Sequence, residues 1–307
     1  MKVTICISTF NGQLFFDEQI ESILNQTYRN FDILIRDDGS TDFDFIEKLK
    51  RYEKQYKQVK LLLKENIGVS RSFFELLNTC PLNSDLVILA DQDDVWLQSR
   101  IENTVKFIEY QNTHSPLLCS CGFEYVDEDL NFISRSPIYK HIGFTNALVQ
   151  NLIPGCTICI NNAALKILQL YTPKKAVIHD WWMYLAISAT GKVFQESNVS
   201  VKYRQHRFNV LGGTTSFIEK NQRRLKRKLN TLIYKVYDQV QEFKSNYQDL
   251  ISDVNKNKIE RFLKSADDFS SKFFFLFDFK TVRREKLLDN LLLKIVIIFS
   301  GSKKSNT

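Results

Sequence analysis

The sequence predicts an α/β fold with a doubly wound, mostly parallel sheet, followed by a helical extension at the carboxyl end. Short apolar runs alternate with helical patterns over residues 3–90, which is typical of strands buried on both faces of a sheet. Beyond residue 215 the pattern changes to a long stretch with apolar residues every three or four positions. We therefore predict a first domain at residues 1–215 and a helical extension at residues 216–307.

The first domain begins with strands and helices in strict alternation. Helices are predicted between four strands that lie at Val3–Ser8, Phe31–Arg36, Val59–Leu63 and Asp85–Ala90. Right-handed crossovers would make these strands parallel, with ligands bound beyond their carboxyl ends. Later strands are predicted at Leu117–Tyr125, Cys156–Ile160, Lys192–Phe194 and Val199–Tyr203, with helices near Ala163–Gln169 and from His179.

Charge is distributed unevenly along the chain. Residues 220–307 hold 20 Lys and Arg against 10 Asp and Glu, whereas residues 1–219 hold 22 against 25. A basic tail indicates an anionic surface or partner. It does not indicate nucleic acid, because no recognition motif or interleaved aromatic residues accompany the basic run.

Two segments of the tail favour attachment to the anionic face of a membrane. One is the basic run of Arg223, Arg224, Lys226, Arg227 and Lys228, and the other is the apolar stretch Leu287–Phe299. A transmembrane span needs about 20 apolar residues, so the apolar stretch is too short and too often interrupted to be one. A solvated helix and a homodimer formed through the C-terminal helices are the alternatives.

The amino terminus and the six cysteines favour a cytoplasmic protein. The first residues predict a strand rather than a signal peptide. The pairs Cys119/Cys121 and Cys156/Cys159 lie in apolar runs without a second ligand pair at zinc-site spacing, so buried free thiols are predicted. We expect the protein in the cytoplasm, peripheral on the inner face of the plasma membrane.

A group of carboxylates follows the fourth strand. Asp91, Asp93 and Asp94 repel one another within four residues, and a divalent cation that bridges a diphosphate would relieve that repulsion. A solvated acidic turn is the alternative. The strand before the group and Val95-Trp96 after it favour the metal site.

Acceptor groups also follow the first two strands. Thr9 and Asn11 end the first, and Asp37-Asp38-Gly39-Ser40 ends the second. A carboxylate at Asp38 could accept the N3–H of a uracil or thymine ring. The pattern Gly-x-Gly-x-x-Gly does not follow the first strand, which argues against a dinucleotide-binding fold.

The order of these motifs resembles family 2 glycosyltransferases over roughly residues 1–213. The motifs are Ser8–Gly12, Glu18–Thr27, Arg36–Asp42, Asn66–Gly68 and Ala90–Trp96. Pro154–Thr157, His179–Trp182 and Tyr203–His206 are similar to its rhamnosyltransferase-like branch. The resemblance implies a GT-A fold, a nucleotide-sugar donor, Mg²⁺ or Mn²⁺, and inversion at the anomeric carbon.

The resemblance also implies roles for single residues. Asp91 and Asp93 match the family's DxD pair, with Asp93 as the direct metal ligand and Asp91 and Gln92 as residues that bind the nucleotide sugar. Thr9, Asn11 and Asp38 match nucleotide-binding positions, and Asp180 falls where the family carries its catalytic base. The segment Arg207-Phe208-Asn209 departs from the family's small Gly/Asn-rich loop, which leaves the role of the neighbouring His206 open.

The residue types around Asp180 fit that role independently. Inverting transfer needs a base on the acceptor side, and sugar rings pack well against indoles such as Trp181 and Trp182. The alternative is that Asp180 caps a helix and both indoles belong to the core. His179 is either a substrate contact or a structural histidine.

Two further residues are candidates for the donor site. His206 follows a late strand and could complete the metal site or remain structural. Arg71 could contact the base or a phosphate, or lie free on the surface.

The sequence therefore predicts a metal-dependent glycosyltransferase that acts on a dTDP- or UDP-sugar, with dTDP-rhamnose favoured by the resemblance. The expected acceptor is a lipid-linked or oligosaccharide chain of a bacterial surface polysaccharide. A nucleotidyltransferase is an alternative, although Thr9–Leu14 lacks the lysine or arginine of a phosphate loop. A non-catalytic carbohydrate- or membrane-binding scaffold is another.

Overall fold

The structure, a computed structural model, describes residues 1–111, 114–206 and 222–300, and of residues 222–230 the backbone alone. The chain divides into two compact units. The first contains Met1–Ile138, Ile153–Thr172 and the described residues 191–206. The second contains Tyr139–Leu152, Pro173–Thr190 and the described C-terminal residues.

The first unit begins with a parallel half-sheet in the predicted order. Its strands are β1 (Val3–Thr9), β2 (Phe31–Asp38), β3 (Val59–Lys64) and β4 (Leu86–Ala90), connected by α1 (Phe16–Leu24), α2 (Phe43–Gln55) and α3 (Val69–Thr79). They lie in the order β3-β2-β1-β4, and every neighbouring pair is parallel. The apolar runs are buried because helices cover the sheet, so the predicted α/β class is confirmed.

The other half of the sheet is mixed. It contains β5 (Val95–Trp96), β6 (Leu117–Val126), β7 (Phe132–Arg135), β8 (Ile158–Asn161) and β9 (Lys192–Arg204), with helices α4 (Arg100–Gln111) and α6 (Asn162–Gln169). The order continues β4-β8-β6-β9-β5, with β7 paired to β6. Strand β8 is antiparallel to both of its neighbours, whereas β6 and β9 are parallel.

One prediction in this half is wrong. The two late strands predicted at Lys192–Phe194 and Val199–Tyr203 form the single strand β9. The polar residues between them do not end the strand, because a register shift between Ser120 and Gly122 of β6 accommodates them. A Cβ at Gly122 would lie 2.9 Å from the carbonyl oxygen of Asn198, so only glycine allows this close approach.

Burial of the cysteines agrees with the sequence. All six are free and buried, and they lie in the sheet or against it. The Sγ atoms of Cys6 and Cys80 are 3.2 Å apart. Burial raises the pKa of the Cys119 and Cys156 thiols well above their usual value.

The second unit is helical. Its helices are α5 (Phe144–Ala147), α7 (His179–Thr190), α8 (Gln222–Tyr247), α9 (Asp253–Lys264), α10 (Phe269–Leu276) and α11 (Leu287–Phe299). The predicted amphipathic helix is α8, which buries Val236, Val240 and Phe243. Among the described residues, none of the helices combines the length and apolar character that crossing a bilayer requires. The basic side chains of Arg223, Arg224, Lys226, Arg227 and Lys228, and the segment Arg207–Asn209, lie outside the described residues.

Candidate functional site

The carboxyl ends of β1 and β2 meet at one edge of the parallel half-sheet. Thr9 is paired with Asp37 in the strand register, and its hydroxyl donates to the Asp37 carboxylate at 3.1 Å. The backbone N–H of Ser40 donates to the other oxygen of the same carboxylate at 2.9 Å. Asp37 therefore connects the two strand ends and fixes the turn that follows β2.

Asp38 supports the loop that follows β3. Its buried carboxylate accepts from the Arg36 guanidinium at 2.5 Å and from the N–H groups of Ile67 and Gly68 at 2.9 and 2.8 Å. These donors occupy three of the roughly four acceptor positions of a carboxylate. In the structure Asp38 thus shapes the loop, and its direct contact with a pyrimidine ring stays a prediction.

A cleft of about 930 Å³ opens beside this edge of the sheet. That volume lies in the range of sites for small molecules and cofactors. Gly39 lies in its wall with φ +78°, and a Cβ there would approach the backbone nitrogen of Asn66 to 2.7 Å, so the wall requires glycine. Its lining includes Arg36, Ser40, Leu63, Lys64, Asn66 and Ile67.

Asn11 and Gln92 hold the loop after β1. The Asn11 backbone N–H donates to the Ser40 hydroxyl at 2.8 Å, and its side-chain oxygen accepts from the Thr41 N–H at 2.9 Å. The Gln92 amide binds both backbone groups of Phe10, at 2.9 and 3.2 Å. A Cβ at Gly12 would lie 2.5 Å from the Gln92 side-chain oxygen, so Gly12 leaves room for this contact.

The acidic turn after β4 has an exposed and a buried part. The Asp93 side chain is 18% exposed and Asp91 is partly exposed, whereas Asp94 is buried and accepts from the Arg204 N–H at 3.1 Å. Burial, and then the charges of Asp93 and Asp91, raise the pKa of Asp94 well above its usual value.

Two groupings of metal-ligating atoms occur at this turn. The predicted pair Asp93 and His206 is brought together, with Oδ2 and Nε2 2.9 Å apart. Oxygen atoms of Asp91 and Asp94 and the Cys156 sulfur also lie within 4.8 Å of one another. Mg²⁺ and Mn²⁺ prefer oxygen ligands, and imidazole suits transition metals. The carboxylates of Asp91 and Asp93 are therefore of a type that fits either ion, and the His206 imidazole beside Asp93 is of a type that fits Mn²⁺. The buried Cys156 thiol, held protonated, does not.

Arg204 is a structural centre of the site that the sequence reasoning did not assign. Its buried guanidinium donates to the Asp93 carbonyl oxygen at 2.8 Å and binds Glu18 of α1. It also lies 4.5 Å from the centre of the Phe15 ring, which the His206 ring contacts at an interplanar angle of 31°. The sequence showed only an arginine at the end of an apolar strand, which gives no hint of these contacts. By contrast, Arg71 lies exposed on α3.

The predicted acceptor-side residues begin α7 in the second unit. Asp180 is buried and accepts from the Trp181 backbone N–H at 2.6 Å. Burial lowers the pKa of His179 to about 3, so its imidazole is neutral at physiological pH. The Trp181 indole is 7% exposed and donates to the Ala147 carbonyl oxygen at 2.6 Å.

Trp182 corrects the prediction of a sugar contact at that position. Its indole is fully buried and packs against Phe243 and Tyr247 of α8, with ring centroids 6.0 and 6.1 Å apart. A ring without exposed surface cannot stack on a sugar, so Trp182 is a core residue. For Trp182 this is the alternative given in the sequence analysis, in which the indole belongs to the core.

Comparisons with known proteins agree with this arrangement. The chain is 24% identical over 228 residues to the dTDP-rhamnosyl transferase RfbG of Shigella flexneri, covering 71% of this chain and 77% of that protein. It is 26% identical to an uncharacterized glycosyltransferase of Haemophilus influenzae, covering 97% and 98% of the two chains.

Solved structures show the same fold. Residues 1–349 of S. aureus TarS superpose with a TM-score of 0.58 at 17% identity, covering 97% of this chain and 81% of that one. The mannosyltransferase PcManGT of Pyrobaculum calidifontis, solved with GDP-Man and Mn²⁺, gives a TM-score of 0.52 at 14% identity, covering 97% and 85%. The GT-A type fold with C-terminal helices is thereby confirmed. The model of the family described as Glycosyl transferase family 2 matches residues 4–166, more than half of the chain, and the protein belongs to that family.

Proposed function

We propose that this glycosyltransferase moves a sugar from a nucleotide-diphosphate donor to an acceptor hydroxyl, with inversion at the anomeric carbon. The observation that carries the proposal is the acidic turn Asp91–Asp94, which follows the carboxyl end of β4. The cleft beside β2 lies at the same edge of the sheet. A diphosphate held at this turn would lie at the carboxyl ends of the parallel strands, where open α/β sheets bind their ligands.

A divalent ion, Mg²⁺ or Mn²⁺, would be held by Asp91 and Asp93, with His206 as a further ligand. When bound, such an ion neutralises the charge of the leaving diphosphate. Arg204 fixes the backbone of the turn, and the His206 contact fixes the Asp93 side chain. The mannosyltransferase PcManGT, which has a similar fold, was solved with Mn²⁺, which supports the proposal of a metal here.

The nucleoside would occupy the cleft beside β2 and β3. Thr9, Asn11 and Asp38 support its walls, and Arg71 is the proposed contact with the base or a phosphate. S. aureus TarS was solved with UDP-GlcNAc, which supports a nucleotide-sugar donor here. The similarity to a dTDP-rhamnosyl transferase favours dTDP-rhamnose among the dTDP- and UDP-sugars.

Asp180 is the proposed catalytic base. It lies in the first turn of α7, where the partial positive charge of the helix N-terminus favours an ionised carboxylate. Such a carboxylate can take the proton of the attacking hydroxyl. His179 and Trp181, which lie in the same turn and are 3% and 7% exposed, are the proposed acceptor contacts.

The acceptor that we propose is a lipid-linked or oligosaccharide chain of a bacterial surface polysaccharide. The enzyme would reach it as a peripheral protein on the inner face of the plasma membrane, through the basic extension at residues 216–307. We propose that residues 1–215 form the catalytic domain.

Calorimetric titration of the full chain with a panel of nucleotide sugars, with and without Mn²⁺, tests the proposal. We expect one dTDP- or UDP-sugar to bind only with metal and to release nucleoside diphosphate when an acceptor is supplied. Release of pyrophosphate from a nucleoside triphosphate would instead identify a nucleotidyltransferase. Absence of binding across the panel would identify a non-catalytic scaffold.

A further inference from the structure

Helix α11 has its polar residues inside and its apolar residues outside. The buried positions recur with helical spacing and include Asn290 and Lys294 beside Leu293 and Ile297. The exposed residues of the opposite face are all apolar: Leu287, Leu288, Leu291, Leu292, Ile295 and Phe299. The acidic Asp289 at the border of this face is partly buried. A helix of a water-soluble domain normally has the reverse distribution.

Helix α10 repeats this inverted pattern. Its buried side chains are Lys272 and Phe275. Four other phenylalanines of the helix and its end are exposed: Phe269, Phe273, Phe274 and Phe277. We call these exposed phenylalanines and the exposed residues of α11, taken together, the α10–α11 face.

The buried lysines hold the two helices together. Nζ of Lys294 donates to the carbonyl oxygens of Phe275 and Asp278 at 2.7 and 2.6 Å, and Nζ of Lys272 donates to that of Ser300 at 2.5 Å. Polar groups that pair inside while apolar groups face outward are the arrangement that a lipid environment favours.

Basic side chains border the face at the connection between the helices. Lys280, Arg283 and Lys286 are exposed there. The acidic groups of the same segment are engaged by the chain itself. The Glu285 carboxylate accepts from the backbone N–H of Lys140 at 2.9 Å, and that of Asp278 accepts from the Thr281 N–H at 3.0 Å. The charges presented beside the face are therefore mainly positive.

We propose that the α10–α11 face inserts into the boundary between headgroups and acyl chains of an anionic bilayer. The inference deepens the proposed function, on which it rests, by assigning the membrane contact to an apolar surface. Helix α11 has 13 residues and so spans about 20 Å, less than the bilayer core of roughly 30 Å, which places it in the plane of the interface.

A second copy of the chain is a poorer occupant of this surface. In a twofold interface the same patch meets itself, so the face of a second copy offers no negative charge to the border of Lys280, Arg283 and Lys286. Anionic headgroups supply that charge.

Flotation of the full chain with vesicles of equimolar phosphatidylcholine and phosphatidylglycerol tests the proposal. The test variant combines Phe274→Ser, Phe277→Ser, Leu288→Ser and Leu292→Ser. The control combines changes at equally exposed residues elsewhere: Leu82→Ser, Ile138→Ser, Val254→Ser and Leu170→Ser. We expect the test variant to lose at least about 100-fold in partitioning, because each lost apolar side chain removes up to about a decade of affinity. The control should partition like wild type.

A second measurement separates insertion from surface adhesion. Leu288→Trp fluorescence should be quenched by brominated acyl chains, whereas Leu82→Trp fluorescence should not. Unchanged partitioning of the four-residue test variant, or a wild-type dimer in solution that the variant converts to monomer, would overturn the proposal. Donor titration in solution separates the membrane contact from the proposed function. If wild type binds no nucleotide sugar, the proposed function is refuted and the membrane contact is not. The test variant should bind the donor as wild type does.

Discussion

Nε2 of His206 lies 2.9 Å from Oδ2 of Asp93. Strands β5 to β9 lie between the two residues in the sequence. Strand β9 brings His206 to Asp93 because it ends beside the turn after β4. The His206 ring also contacts the tilted ring of Phe15, with centroids 4.9 Å apart, so the imidazole is held from a second side. The Asp93 carboxylate is thus held in one position, which is the preorganisation that the proposed metal site would require.

We expect Asp93→Asn to abolish metal-dependent donor binding while the protein remains folded. The amide keeps the size of the side chain but loses the charge that holds the ion. Calorimetric titration with and without Mn²⁺ measures this, and Asp249→Asn at an exposed position is the control. Donor binding by Asp93→Asn as tight as that of wild type, with the metal present, would remove Asp93 from the site.

Asp180→Asn should retain donor binding but reduce transfer by about 10²–10⁴-fold, the usual contribution of a positioned base. Product formation under single-turnover conditions measures the loss. A rate within a few-fold of wild type would contradict the assignment. A large fall in melting temperature with intact chemistry would show instead that Asp180 serves the start of α7.

Arg204→Lys should weaken both the fold and the metal site. One ammonium cannot reach Glu18, the Asp93 carbonyl oxygen and the Phe15 ring at the same time, as the planar guanidinium does. We expect a loss of about 2 kcal/mol in the free energy of unfolding and at least about tenfold in metal-dependent donor affinity. Arg135→Lys, whose pair with Glu124 is exposed, is the control and should change neither quantity.

Asp38→Ala should destabilise the first unit by about 3–5 kcal/mol, because it leaves the buried Arg36 guanidinium without its carboxylate. Urea unfolding measures the change. The control is Glu47→Ala, whose exposed pair with Lys50 contributes at most about 1 kcal/mol. Equal losses for the two variants would show that burial of the Arg36–Asp38 pair has no special importance.

Lys294 gives a prediction for the pH dependence of stability. Burial lowers its pKa to about 8, from an ordinary value of 10.5 that the unfolded chain retains. Between these values the unfolded state binds more protons than the native state, so this group makes the free energy of unfolding rise with pH. Relative to Lys294→Met, wild type should gain stability from pH 8 to about pH 10.5. A pH-independent difference would contradict the lowered pKa.

The sequence allowed the parallel half of the sheet to be predicted because its strands are continuous apolar runs with polar residues at their ends. The prediction divided strand β9 into two strands because β9 contains a bulge. A bulge interrupts the alternation of apolar and polar residues, so periodicity alone does not reveal it. The acidic turn was identifiable from charge repulsion among Asp91, Asp93 and Asp94. The role of Arg204 was not, because its partners lie on α1 and the β4–β5 turn and become neighbours only through the fold.

The late position of β9 in the chain has a consequence for biosynthesis. Strands β5 and β6 both pair with β9, so neither is complete until residues 192–204 have left the ribosome. Contacts of such sequence separation form slowly, because the intervening chain must first close a long loop. The nascent parallel half-sheet can therefore form while its acidic turn still lacks Arg204 and His206. In a chain stalled on the ribosome before β9, the edge of β6 that pairs with β9 would have no partner strand.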